Sequence, residues 1–195
     1  MSFDPKTTAK EFFENMVPQI ATSHKDKLTP EQKAVNHAVA FVLTGTGGGE
    51  WTIGFANGDV SVKPGIQAGA NPVVHLSAEH WHDVMTGKRV TMGAVGNFTD
   101  MDMSHFKPIL LQRLKPIKGT LKIVVEDEAE GDMDTTVQFG EGAPANPTTT
   151  MRMKADIARQ VQEKKLNPQQ AFMQGHIKIQ GDMNLVMQVA TLIMP

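Results

Sequence analysis

The sequence predicts an α/β (α+β) protein in which one programme of helix, antiparallel meander, strand and helix runs twice, over residues 1–100 and 101–195, with the first copy degenerate. Three observations carry that expectation. Apolar residues recur at helical and at alternating spacings, in the same order, in both halves. The tripeptide Ala70-Asn71-Pro72 returns as Ala145-Asn146-Pro147, 75 residues later. Residues 166–193 read as helix, strand and helix whose apolar sides all turn one way.

In the first half, Asp4 and Pro5 can open a helix in which Ala9, Phe12, Phe13, Met16, Val17 and Ile20 share a face. A polar stretch over residues 23–32 follows. Val39, Phe41 and Leu43 alternate as a half-buried strand, the glycine-rich turn 44–49 reverses the chain, and Trp51, Ile53 and Phe55 alternate again. Asn57-Gly58 suits a hairpin turn because both residues tolerate positive φ, and Val60 and Val62 extend the meander. After Pro72 come a strand at 73–76 and Ser77 as N-cap. A helix with Ala78, Trp81, Val84 and Met85 on one face follows, and Gly87 ends it.

The second pass opens near Asp102 with a helix over 106–114. Leu121, Ile123 and Val125 alternate, the acidic residues 126–134 turn the chain, and Val137 and Phe139 return it. Residues 148–153 form the next strand, and Ile157, Ala158 and Val161 lie on a helix. No spacer rich in proline, serine or low-complexity sequence separates the halves.

The last quarter is the most informative. Asn167 is a good N-cap, Pro168 fits the first helical position and Gly175 the position after the end, so a short helix carries Ala171, Phe172 and Met173. Ile177 and Ile179 alternate with His176, Lys178 and Gln180 as a half-buried strand. Gly181 turns the chain and Asp182 caps a helix over 183–193. On that helix Asn184, Gln188 and Thr191 form one narrow polar stripe. A surface helix needs only about a 100° apolar arc, so this one has apolar surface left over for a partner or a ligand. Its methionines suit irregular guests, because the unbranched thioether adapts its shape.

The run Asn167, Pro168, Ala171, Phe172, Met173, Gln174, Gly175, Ile177, Lys178, Ile179, Gly181, Asp182 and the apolar helix after it resembles the C-terminal signature of the sterol carrier protein type 2 domain. The resemblance is strongest over residues 115–195. It implies a sheet of about five strands covered by helices and enclosing a hydrophobic tunnel for fatty acyl chains, sterols or similar lipids, with no catalysis by the domain alone. On this reading Phe172, Met173, Ile177 and Ile179 lie along the tunnel. Met183, Val186, Met187, Ala190 and Ile193 form an adaptable lid. Trp51 and Trp81 either line or border a first-half cavity or sit in its core, and the sequence leaves open which strand face meets ligand. The segment 96–100 corresponds to 175–182 but lacks the Ile-Lys-Ile strand, so the first copy departs from the family at its most diagnostic element.

Composition narrows the function classes. Net charge is −2 with pI about 6.4, and the basic residues are scattered, which argues against a nucleic-acid surface. There are no cysteines, hence no disulfides, thiol nucleophiles or cysteine metal sites. A signal-peptide pattern and a membrane-length apolar run are both missing, so a cytoplasmic protein without a membrane span is expected.

Other clusters read as structure rather than chemistry. His75, Glu79, His80, His82 and Asp83 are metal-ligand types, but His80 and His82 are two apart and point to different helix faces, no His-Glu-x-x-His spacing exists, and solvated helix-end histidines are the favoured reading. The acidic run 126–134 lacks the calcium-loop pattern, and the glycines at 45–49 are followed by Glu50 rather than Lys-Ser or Lys-Thr. The expectation is therefore a non-enzymatic lipid carrier with no cofactor and no metal. Two alternatives stay open: an interaction or substrate-presenting module for a partner enzyme, in which the last helix is a subunit or homodimer interface, and a metal-dependent hydrolase built on the histidines.

Overall fold

The structure, a computed structural model, describes residues 3–90, 113–143 and 145–193. The expected segment 96–100, and the expected helix up to residue 112, lie outside the described residues.

The N-terminal helical layer begins later than Asp4. The Asp4 carbonyl accepts from Thr7 N at 2.8 Å and its carboxylate from Lys6 N at 2.9 Å, which closes a turn. Thr8 then becomes the N-cap of α1 (Ala9–Glu11), its hydroxyl accepting from Glu11 N at 3.1 Å. A π-helical turn (Phe12–Met16) leads into α2 (Val17–His24). The wider turn still drives Phe12 and Phe13 into the core, both buried. α3 (Pro30–Lys33) carries a full capping box from Thr29 and Gln32.

Strands β1 (His37–Thr44), β2 (Gly49–Ala56) and β3 (Asp59–Pro64) form the meander, and Asn57 and Gly58 adopt positive φ in its second turn as the sequence requires. β4 (Val73–Ser77) runs parallel to β1 and feeds α4 (Ala78–Met85), capped by the Ser77 hydroxyl. The second half supplies β5 (Gly119–Glu126), β6 (Met133–Phe139), β7 (Thr149–Lys154), α5 (Ala155–Gln162), α6 (Pro168–Met173), β8 (Ile177–Gly181) and α7 (Met183–Ile193). The expected caps form: Asn167 Oδ1 accepts from Gln169 N at 2.8 Å, and Asp182 Oδ1 from Asn184 N at 2.8 Å.

The expectation of about five strands per sheet is corrected. Among the described residues, eight strands form one sheet in the order β3-β2-β1-β4-β6-β5-β7-β8. The physical reason lies at β4, whose edge away from β1 would otherwise leave unpaired N–H and C=O groups; β6 pairs with it antiparallel, Val74 opposite Val137. Registers then carry one apolar face across the molecule, because Val137 also faces Leu121, Leu121 faces Thr149, and Met153 faces Ile177. The other face is largely polar, with His75, Lys122, Thr136, Arg152 and Lys178 on it.

Two cores lie along the apolar face. One gathers Phe3, Phe12, Phe13, Phe41, Trp51 and Trp81, and the other Leu121, Ile123, Met153, Ile157, Ile177 and Leu185. Leu114 and Val137 pack against both, and α4 gives Trp81 and Met85 to the first and Val84 to the second. The Ala-Asn-Pro tripeptides do not stand in equivalent places. Buried Pro72 abuts β4 directly, whereas exposed Pro147 is separated from β7 by Thr148.

Candidate functional site

The second core is built between the β5-β7-β8 end of the sheet and three helices. Alternation on β8 turns Ile177 and Ile179 to the apolar face, where they stand opposite Met153 and Met151 of β7. α7 crosses β5 and β7 and points Leu185, Val186 and Val189 inward, all buried. Its start is tied down by Thr149, whose hydroxyl accepts from Asp182 N at 3.0 Å. Gly181 is obligatory at that corner: its φ is +108°, and an added Cβ would meet the Thr148 carbonyl oxygen at 2.3 Å. α6 inserts the fully buried Ala171.

The residues singled out by sequence divide into three groups. Ile177 and Val186 are buried and Ile179 half-buried within the second core, and Ala190 is half-buried on α7. Met173 (79% exposed), Met187 (55%), Met183 (41%) and Phe172 (38%) turn outward from α6 and α7. The Ile193 side chain lies outside the described residues. The inner wall also includes Met151, Met153, Ile157, Leu185 and Val189, which sequence reasoning did not select. The alternation of Met151 and Met153 on their strand was a usable signal. It did not say which face of β7 is the inner one.

Trp51 and Trp81 belong to the first core and not to that wall. Trp51 stacks on Phe13 with ring centroids 4.8 Å apart and planes 10° apart, and its Nε1 donates to Glu14 Oε1 at 3.1 Å. Trp81 meets Phe3 edge-on at 5.7 Å and Phe12 at 5.5 Å. Both indoles are buried, and the rings fill the space beneath the first half of the sheet. Gly49 belongs to this packing, since an added Cβ would lie 2.5 Å from Trp51 Cη2.

The histidines near α4 are engaged separately. His75 Nε2 lies 2.9 Å from Gln138 Oε1 across the β4–β6 pair, and His82 Nε2 donates to the Pro5 carbonyl at 2.7 Å. Asp83 is buried and accepts from Arg89 Nε at 3.1 Å. Among the described residues no three histidine, aspartate or glutamate side chains converge as a metal would need. In the acidic turn, Asp127 accepts from the Ala129 and Glu130 N–H groups, which hold its carboxyl below the usual carboxylate range. Arg89 clamps the same turn, donating to the carbonyls of Glu130 and, at 2.7 Å, Gly131. Among the described residues no helix is long and apolar enough to cross a membrane.

Residues 102–194 match the SCP-2 sterol transfer family, a span beginning earlier than the 115–195 stretch where the sequence resemblance is strongest. No curated protein matches the chain. Among solved structures, it is similar to sterol carrier protein 2 like 2 from Aedes aegypti at 20% identity, covering 44% of this chain and 94% of that one, with a TM-score of 0.33. The sterol carrier protein domain 2 of Helicoverpa armigera aligns at 26% identity over 46% of this chain and 75% of its own, TM-score 0.34. Sterol carrier protein 2 from Yarrowia lipolytica aligns at 22% identity over 42% and 68%, TM-score 0.31.

Proposed function

We infer, from the match of residues 102–194 to the SCP-2 sterol transfer family, that this chain binds and carries lipids and catalyses no reaction on them. The ligand is a fatty acyl chain, a sterol or a comparable hydrophobe held between the inner wall of β7 and β8 and the helices above it. Ile177, Ile179, Val186 and Ala190 are the proposed lining. Met183 and Met187, with Phe172, Met173 and Ile193, are the proposed adaptable rim. Each methylene removed from water contributes about 0.8 kcal/mol, so a long chain needs few polar contacts and selectivity is low. The observation that carries the reading is the family match over the half whose last helix leaves Met183 and Met187 uncovered.

The first half is proposed as a second, degenerate copy that carries no ligand, its space taken by Phe13, Trp51 and Trp81. Support comes from strand pairing: β1 pairs antiparallel with β2 and parallel with β4, and β5 likewise with β6 and β7. Titration with a fluorescent fatty acid and a fluorescent sterol tests the whole reading. The expected result is saturable, competable binding of one probe per chain in the micromolar range. Absence of such binding with both probes ends the lipid-carrier reading. A second reading, an interaction module, is favoured by the exposure of Met173 and Met187. A constant stoichiometric partner or an obligate homodimer, without lipid uptake, would select it.

A further inference from the structure

We propose that the two halves are not autonomous units but share strands, each half completing the sheet of the other. Strand pairing alone implies this sharing, whether or not lipid binds. β1 and β5 occupy matching positions, each with an antiparallel neighbour on one side (β2, β6) and a parallel neighbour on the other (β4, β7). The registers end alike: Thr44 faces Ser77 and Glu126 faces Lys154, and a helix starts at the next residue in both cases, at Ala78 and Ala155.

The outer positions show the sharing. Beyond β7 lies antiparallel β8; beyond β4, where the described residues of the first half supply no such strand, lies antiparallel β6 of the second half. Beyond β2 lies antiparallel β3; beyond β6, where the described residues of the second half supply no such strand, lies antiparallel β4 of the first. The order β3-β2-β1-β4-β6 is thus one five-strand set and β4-β6-β5-β7-β8 another, and the eight strands of the described residues fill both because β4 and β6 serve twice.

The shared pair is a head-to-tail contact, β4 of one half against β6 of the other, not a self-complementary one, so β3 and β8 end what would otherwise be an open series. Side chains reinforce it. Asn71 Oδ1 accepts from Gly140 N at 3.0 Å, His75 meets Gln138, and Arg89 holds the carbonyls of the β5–β6 turn from the end of α4. Val84 on α4 packs into the second core, and Leu114 and Val137 belong to both.

The full chain tests this through its own reporters, since both tryptophans lie in the first core. Met153 is buried on β7, away from the shared pair. If strands are shared, Met153→Ala lowers the melting midpoint read by tryptophan fluorescence and by far-ultraviolet circular dichroism equally, by about 5–15 °C. A tryptophan transition left at the wild-type temperature while the circular dichroism curve splits in two overturns the proposal. Hydrogen exchange on the unsubstituted protein covers the case in which the variant does not fold. Amides of β1 and β2 should exchange through the same opening as those of β5 and β7 as denaturant rises. Separate openings for the two sets refute strand sharing.

Discussion

Met187→Gln discriminates between a rim that meets ligand and a static helix face. Met187 is 55% exposed on α7, at the proposed rim. Fully burying a methionine side chain is worth about 1.5–3 kcal/mol, so a bound acyl chain covering the open half contributes about 1 kcal/mol there. Glutamine forfeits that and places an amide beside an apolar ligand, adding a penalty of about 1 kcal/mol. Affinity should therefore fall by about 5–30-fold. Stability should hardly move, because a surface substitution stays within about 0.5 kcal/mol, or about 1–2 °C in a chain of this size. The assay pairs a fluorescent fatty acid titration with a thermal melt of the same samples. Unchanged binding alongside a large fall in Tm would refute the reasoning, placing Met187 in permanent packing and the ligand elsewhere.

Two further expectations follow from the first half. Gly49→Ala pushes a methyl group to 2.5 Å from the Trp51 ring, so the Phe13–Trp51 stack must give way; a loss of about 1–3 kcal/mol and a changed tryptophan emission spectrum should accompany it, and an unaltered spectrum with an unaltered Tm would contradict this packing. His37 is buried with its Nε2 donating to the Asn71 carbonyl, and burial, aided by the Lys115 charge, holds its pKa below the usual 6.5 against the opposing effect of that hydrogen bond. The unfolded chain takes up this proton first, so His37 costs no stability above pH 6.5 and lowers it as pH falls through 6.5 towards the folded-state value. His37→Gln should flatten that part of a stability-versus-pH profile measured by denaturant unfolding, and an identical slope in both proteins would exclude His37 as its source.

Much of the architecture was legible because local patterns and tertiary packing agree. Alternation at Val39, Phe41 and Leu43 and at Leu121, Ile123 and Val125 marked inner faces, and Ser77, Asn167 and Asp182 cap where their side chains predict. The N-terminal boundary was less legible. Asp4 and Thr8 are both good caps, and only the turn closed by Thr7 and Lys6 decides for Thr8. Phe172 marks the same limit on α6, where Ala171 takes the buried position and leaves the larger neighbour 38% exposed. Single-residue steps around a short helix, at 100° each, are not resolved by composition.

The sequence by itself determined the class of the protein, the order of its elements and the apolar excess of its last helix. Periodicity and capping are properties of neighbouring residues, and they need no distant partner to be read. Only the tertiary structure decided that β4 takes β6, that among the described residues one sheet of eight strands replaces two smaller ones, and that Trp51 and Trp81 belong to a ring cluster with Phe13. The physical reason is that a strand edge presents the same backbone donors and acceptors whatever its side chains. The choice of neighbour is therefore made by the shape and packing of residues far apart in the chain, here Val74 against Val137 and Val84 within the second core.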